Sequence, residues 1–417
     1  MNKRQTMREK GEKEGGGPGG SKSAAGIGLS AAAHEHRRQE AVPFKTDIVV
    51  IGGYGSVGRT VSRLLAERFP GRVYAAGRSF DAAARFAEET GGAVKPLRWE
   101  IGPQAVEYDL SAVRLIVMCL DQDHPALVRR CLEEGTQYLD ITAKADFLLE
   151  AGRLNVREPR SAALLSVGLA PGLTNLLAAK ASKALERTER IEISLMLGLG
   201  ERHGRAAIEW TIDRMGASFE APVEGTLRGV RSMTDGRTVD FGGETGRKRV
   251  YRFPFSDQLT LPGTLGAADV STRLGFDVNG AARAASVLRR LGVFALLRCK
   301  PLRSAAADLA GRLHVGSERF AVRATAYGLQ CGRPAQAHCT VRGVRQSDMT
   351  ARVAAHAAEA LLSRPHLRGV LHLEELLDAD SLWSAVRTET SSELEFGQRA
   401  EPFGGAAAAP PVSRGGV

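Results

Sequence analysis

The stretch Asp47-Ile-Val-Val-Ile-Gly-Gly-Tyr-Gly-Ser-Val-Gly58 decides how the rest of this chain is read. An apolar run of strand length ends in a glycine-rich turn, and a helical segment, Arg59-Thr-Val-Ser-Arg-Leu-Leu-Ala-Glu-Arg68, follows at once. Gly53, Gly55 and Gly58 have the G-x-G-x-x-G spacing, and Gly52 overlays a second G-x-x-G register. In a dinucleotide-binding turn, one such glycine makes the tight turn. The next lets backbone approach a pyrophosphate, and the third lets helix and strand pack closely. The free N–H groups at the helix start would hold the diphosphate. Gly53, Tyr54, Gly55, Ser56, Val57 and Gly58 are therefore candidate cofactor-binding residues.

Working outward, the first half alternates strand and helix. Short strands are expected at Arg72–Gly77, Val113–Leu120, Gln137–Thr142 and Ala162–Gly168. Helices are expected from Asp81, as N-cap, to Thr90, from His124-Pro125 to Glu134, and from Thr174. Strands alternating with helices of this length predict a parallel, doubly wound α/β sheet with right-handed crossovers. From about Glu192 the period changes. Ile191–Leu197, Arg249–Phe253, Arg319–Ala326 and Ala337–Val341 alternate apolar and polar residues, which predicts an antiparallel sheet interrupted by helices near Ala206–Met215 and Ala281–Leu297. A last helix, near Met349–Leu362, leads to Gly369-Val-Leu-His-Leu-Glu-Glu-Leu-Leu377, read as a return to the first unit. The second unit is thus an α+β insertion.

The expected divisions are 1–44 as a disordered extension, 45–175 as the nucleotide domain and 176–350 as the α+β domain. The remainder is 351–395 as the returning segment and 396–417 as a disordered tail. The 417 residues suit two globular units with tails. No stretch is apolar enough to span a membrane, and five scattered cysteines without a C-x-x-C argue for reduced thiols, a cytoplasmic setting and no metal site. The net charge of +10 is dispersed and lacks aromatic interleaving, which argues against nucleic acid. Within Arg283–Arg303, basic residues including Arg289, Arg290, Arg298 and Lys300 flank the apolar run Leu291–Leu297. This segment reads either as an interfacial amphipathic helix or as a core helix with charged ends.

An acid at the end of the second strand would hydrogen-bond the ribose hydroxyls of NAD. Here Ala76-Gly77-Arg78-Ser79 stands instead, and a guanidinium with a neighbouring hydroxyl suits the 2′-phosphate of NADP. Arg78 and Ser79 join the cofactor candidates, with Cys119 and Leu120 at the end of the next strand. Asp140, near a strand's carboxyl end, reads as a proton-transfer group or as a cap for the following turn. His124 reads as a general acid or as a packing residue at a helix start.

Gly52–Gly58, Ala76-Gly-Arg78, Tyr138-Leu-Asp140, Gly168-Leu-Ala-Pro-Gly-Leu-Thr-Asn175 and Gly369–Leu376 together resemble the saccharopine dehydrogenase-like family of NADP-binding oxidoreductases, over roughly residues 45 to 395. The resemblance implies a Rossmann domain with an inserted α+β domain, a homodimer, and pyridine-nucleotide chemistry on a secondary amine formed from an amino acid and an oxo acid. It also implies arginines in the second domain that bind a substrate carboxylate, for which Arg249, Arg252 and Arg273 are candidates by position. Two other readings keep the cofactor. One is reduction of a carbonyl or enoyl group on a lipid or secondary metabolite, and the other is a non-catalytic NADP(H)-binding redox sensor.

Overall fold

A computed structural model describes residues 45–102, 108–201, 205–297, 299–312 and 315–400. The expected extension 1–44, Arg298 and residues 401–417 lie outside them. The glycine turn follows strand β1 (Asp47–Ile51). Then come β2 (Val73–Gly77), β3 (Lys95–Arg98), β4 (Val113–Met118), β5 (Gln137–Asp140) and β6 (Ala162–Leu165). The chain leaves this sheet and builds β7 (Arg187–Leu197), β8 (Ser218–Val223), β9 (Thr226–Arg231), β10 (Arg237–Asp240), β11 (Arg247–Arg252), β12 (Asp269–Phe276), β13 (Arg319–Gln330) and β14 (Arg333–Val344). It returns as β15 (Gly369–His372) and ends as β16 (Glu395–Ala400).

The first sheet has the order β15-β6-β5-β4-β1-β2-β3, and every pairing in it is parallel. The run Ile48–Ile51 is buried, as a strand covered by helices on both faces must be. The helix Gln346–Leu362 packs on the helix Ser56–Arg68, and β15 pairs with β6, so the α+β domain is inserted between β6 and the return.

The second sheet has the order β10-β11-β12-β7-β13-β14-β16. It is mixed rather than antiparallel, because β12 runs parallel to β7. A long excursion through a helix and the β8–β9 hairpin separates those two strands, which gives the chain room to cross over and enter from the same end. One face of this sheet, including Ile191, Ile193, Leu195, Val270, Leu274, Val322 and Ala324, joins the first domain's apolar residues in a single core. The helix Thr174–Lys183 packs between, against β7, β13 and β14.

Three local expectations change. The helix after β2 spans Phe80–Glu89 and is capped by Ser79, whose hydroxyl accepts from Ala82 N at 3.2 Å, so Asp81 lies inside the first turn. The helix expected over Ala281–Leu297 breaks into Ala281–Arg290 and Val293–Leu296, because Gly292 takes a left-handed φ of 77°. The tail expected from residue 396 instead continues β16 to Ala400, paired antiparallel with β14.

Candidate functional site

Only glycine fits at the turn after β1. Gly52 adopts a φ of +79°. A side chain at Gly53 would sit 2.6 Å from the Val50 carbonyl and 2.8 Å from Ala75 Cα, where turn and β2 touch. One at Gly58 would run into the carbonyl oxygen of Gly52, so helix and strand could not close. The left-handed residue is thus the overlapping Gly52, while Gly53 and Gly58 provide the close approaches.

The helix Ser56–Arg68 starts from Gly55, which has no side chain to cap it, and no acid lies in its first turn. The N–H groups of Ser56, Val57 and Gly58 therefore point out of the helix start without intrahelical acceptors, at the positive end of the helix dipole. Gly55 and Ser56 are exposed there. This arrangement fits a diphosphate. Nearby, Arg59 is ion-paired to Glu89 and lies 4.5 Å from the centre of the Phe86 ring.

Tyr54 joins the turn to the end of β2. Its ring lies over Gly77, leaving no room for a Cβ there, and its hydroxyl accepts from Ser79 N at 3.1 Å. That bond and the Ser79 cap fix the backbone on either side of Arg78. Arg78 is exposed, and no group among the described residues hydrogen-bonds or pairs with its guanidinium. With no acid at this strand end, the arrangement fits a 2′-phosphate rather than free ribose hydroxyls.

The end of β4 offers a different surface. Leu120 is exposed and its side chain packs beside Gly52. The Cys119 N–H donates to the Ile51 carbonyl at 2.9 Å, and burial pushes the Cys119 thiol far up, which keeps it protonated. Cys119 is half-buried, and a thiol held protonated is a poor nucleophile.

Asp140 is fully buried. One carboxylate oxygen accepts from Tyr138 Oη at 2.5 Å and the other from Thr142 N at 2.8 Å. Burial pushes its pKa up to about 7 against these two bonds. Thr142 Oγ1 in turn donates to Asp121 at 2.8 Å, which ties the loops after β4 and β5 together. With both oxygens occupied and no solvent contact, Asp140 shapes the turn. His124 stands apart from it, exposed at the surface.

A polar junction that sequence reading missed lies where β6 and β15 end. Ser166 Oγ and His372 Nδ1 are 2.8 Å apart, across the ends of the two strands. Asn175 Nδ2 donates to Glu374 Oε2 at 3.1 Å, and Thr264 Oγ1 donates to Glu374 Oε1 at 2.8 Å. Thr264 belongs to the helix Asp257–Leu265, which also packs on the helix Ala145–Gly152 after β5 and on segment 169–173. At its start, Asp257 accepts from Thr272 Oγ1 at 2.6 Å, its other oxygen is buried without a partner, and burial raises its pKa to about 6. Gln258 donates to the carbonyls of Phe253 and Phe255 and accepts from Arg252 Nη2 at 3.2 Å. The Gly168–Asn175 and Gly369–Leu376 motifs were visible in the sequence. Their meeting through Asn175 and Glu374 was not, since 199 residues separate the two.

The three candidate arginines separate. Arg249 is a surface residue beside Tyr251. Arg252 and Arg273 are buried and face each other directly across β11 and β12. Arg273 is occupied: Nη2 binds Asp235 at 2.5 Å and Nη1 binds Ser271 Oγ at 2.9 Å. Arg252 has Gln258 alone. Among the described residues no carboxylate pairs with it, and its Nε is buried without an acceptor. Burial and the neighbouring Arg273 lower its pKa to about 10.

Residues 48–163 match the family model of the saccharopine dehydrogenase NADP binding domain. No curated protein matches the chain. Among solved structures, apo saccharopine dehydrogenase (L-Glu forming) from Saccharomyces cerevisiae superposes with a TM-score of 0.56 at 12% identity, covering 85% of this chain and 100% of that one. A DAP dehydrogenase from C. glutamicum in complex with DAP gives 0.38 at 13% identity, covering 80% and 95%. An engineered D-amino acid dehydrogenase bound to NADP+ gives 0.39 at 13%, with the same coverage. These last two are too loose to place a residue. The glycine turn and the Arg78 corner thus lie in a domain that matches the saccharopine dehydrogenase NADP binding domain, with NADP as its cofactor, and the chain as a whole shares the fold of a saccharopine dehydrogenase.

Proposed function

We propose that this NADP-dependent oxidoreductase acts on a carbon–nitrogen bond beside a carboxylate, reducing an imine formed from an amino acid and an oxo acid or oxidising the corresponding secondary amine. The observation that carries the reading is Arg252, a buried cation with no carboxylate partner among the described residues. Asp235 and Asp269 act on this guanidinium only from a distance, and a substrate carboxylate would give it a direct partner through two parallel hydrogen bonds. Gln258 accepts from the guanidinium, on a helix that packs on the helix Ala145–Gly152 and on segment 169–173.

NADP, when bound, supplies or accepts the hydride. The chain's own residues bind and orient. The N–H groups of Ser56, Val57 and Gly58 receive the diphosphate, Arg78 receives the 2′-phosphate, and Arg252 holds the substrate carboxylate. Asp140 holds the loop beside Leu120 in place. Because Asp140 is sealed and His124 is exposed, the proton on nitrogen is assigned to solvent or to the substrate itself.

The test follows NADPH consumption by the purified chain with oxo acids paired with amino acids, and with simple ketones and enoyl compounds. The expected result is turnover restricted to the carboxylated pairs, and a KM raised at least about thirtyfold by Arg252→Met with NADPH affinity unchanged. Turnover of uncarboxylated ketones or enoyl compounds, unaffected by Arg252→Met, would replace this reading with reduction of a lipid or secondary metabolite. Specific support for that second reading comes from the exposed leucines of segment 283–303.

A further inference from the structure

The helix Ala281–Arg290 is packed inside out. Its buried positions are the small residues Ala282, Ala285 and Ser286, whereas Val287 is 52% exposed and Leu288 42%. Leu291, one residue on, is 72% exposed. At 100° per residue, Val287, Leu291, Ala284 and Leu288 form one outward stripe, with Arg283 and Arg290 along its rim. The next two helices continue the pattern with Leu296 at 65% and Leu302 at 50% exposure. A soluble helix with its large aliphatics turned to water lacks its partner surface.

Charge identifies that partner. Residues 278–307 contain no aspartate or glutamate, but carry Arg283, Arg289, Arg290, Arg298, Lys300 and Arg303. Among the described residues, no ion pair engages Arg283, Arg289 or Arg290. Glu209 and Asp308 follow on the adjoining helices, and two nearer acids are already used. Asp213 pairs with Arg303 at 2.9 Å, and Asp277 accepts the backbone N–H groups of Leu199 and Ser317. A second copy docked patch to patch by two-fold symmetry would bring two positively charged surfaces together, since residues 278–307 contain no acid. A surface of negative headgroups over hydrocarbon satisfies both the stripe and its rim.

We propose that the exposed face formed by Arg283, Val287, Leu288, Arg290, Leu291 and Leu296 docks this protein on an anionic lipid surface. The leucines enter the acyl boundary and the arginines lie among the headgroup phosphates. The docking rests on residues outside the nucleotide site, so its test needs no cofactor and no turnover.

The full chain is sedimented with vesicles of phosphatidylcholine alone and of phosphatidylcholine with phosphatidylglycerol, at low and high salt. Wild type should bind the anionic vesicles, release with salt and largely ignore the neutral ones. The double variants Leu291→Glu/Leu296→Glu and Arg283→Glu/Arg290→Glu should each weaken binding at least about tenfold. Both should keep wild-type Tm and NADPH affinity, since the altered side chains are exposed. Absence of anionic-vesicle binding at low salt, or equal binding by wild type and variants, would overturn the proposal. So would a lipid-free dimer that Leu291→Glu/Leu296→Glu makes monomeric, which assigns the patch to a second copy. Binding to soluble polyglutamate as tight as to vesicles would assign it to an acidic protein instead.

Discussion

The two seven-stranded sheets of this chain serve the site in opposite ways. The first is wholly parallel and covered on both faces, so its strands end together and its loops gather along one edge. What it offers a ligand is mainly backbone: N–H groups at a helix start and glycines that keep the path clear. The second sheet is mixed, with one face in the shared core and the other carrying Arg252, Arg273, Ser271 and Ser194. What it offers is side chains. A backbone site is damaged by adding atoms, and a side-chain site by removing them.

The sharpest break in this contrast is Gly58→Val. Its Cβ would strike the Gly52 carbonyl, so we expect a loss of at least about 4 kcal/mol of stability and of NADPH binding with it. Calorimetry and NADPH fluorescence check both, and wild-type values would mean that the turn has more slack than its geometry allows.

Next in size is a pH effect within the first sheet. The Asp140 carboxyl titrates at about 7 when folded and near 3.8 otherwise, so the native state keeps a proton that the unfolded chain has lost in between. Its contribution is therefore full below about pH 4 and is lost as pH rises to about 7, a change of about 4 kcal/mol. Asp140→Asn should remove that slope, so its stability relative to wild type should climb from pH 4 to 7 and level off above. Parallel pH profiles in denaturant titrations would show an ionised Asp140 throughout.

Arg78→Ala sharpens the contrast from the other side, as an exposed side chain in a site built mainly of backbone. NADPH affinity should fall about tenfold to a hundredfold, with NADH affinity unchanged. Equal losses for both nucleotides would move the 2′-phosphate elsewhere.

The smallest effect belongs to the second sheet. Arg252→Met should leave Tm unchanged or raise it by the equivalent of about 1 kcal/mol, since it removes a buried charge without a carboxylate partner. A large drop in Tm would make Arg252 structural and leave the substrate carboxylate without a partner.

The sequence was most legible where neighbours along the chain are neighbours in space. Ile48–Ile51, the glycines and Arg78 lie on adjacent elements, and their chemistry could be read locally. β3 escaped notice because Lys95-Pro-Leu-Arg98 is an edge strand with polar ends and a proline. The parallel pairing of β7 with β12 was hidden too, because a strand's direction depends on the crossover and not on its alternation. Arg252 was one arginine among many until its burial and missing partner set it apart from Arg249 and Arg273. Asp257 and Gln258 gave no signal, since an ordinary helix start contains such residues.

The strand β15 has a consequence for how the molecule is made. The last strand to enter the nucleotide sheet is synthesised after β7 to β14 of the second domain, and it pairs with β6, the strand from which the chain departed. The helix Gln346–Leu362, which packs on the glycine-turn helix, also emerges late. On the ribosome, the edge of β6 must wait unpaired while some two hundred residues are added. The nucleotide domain is therefore no portable module. A fragment ending near residue 175 would carry every glycine of the turn and still present an open sheet edge.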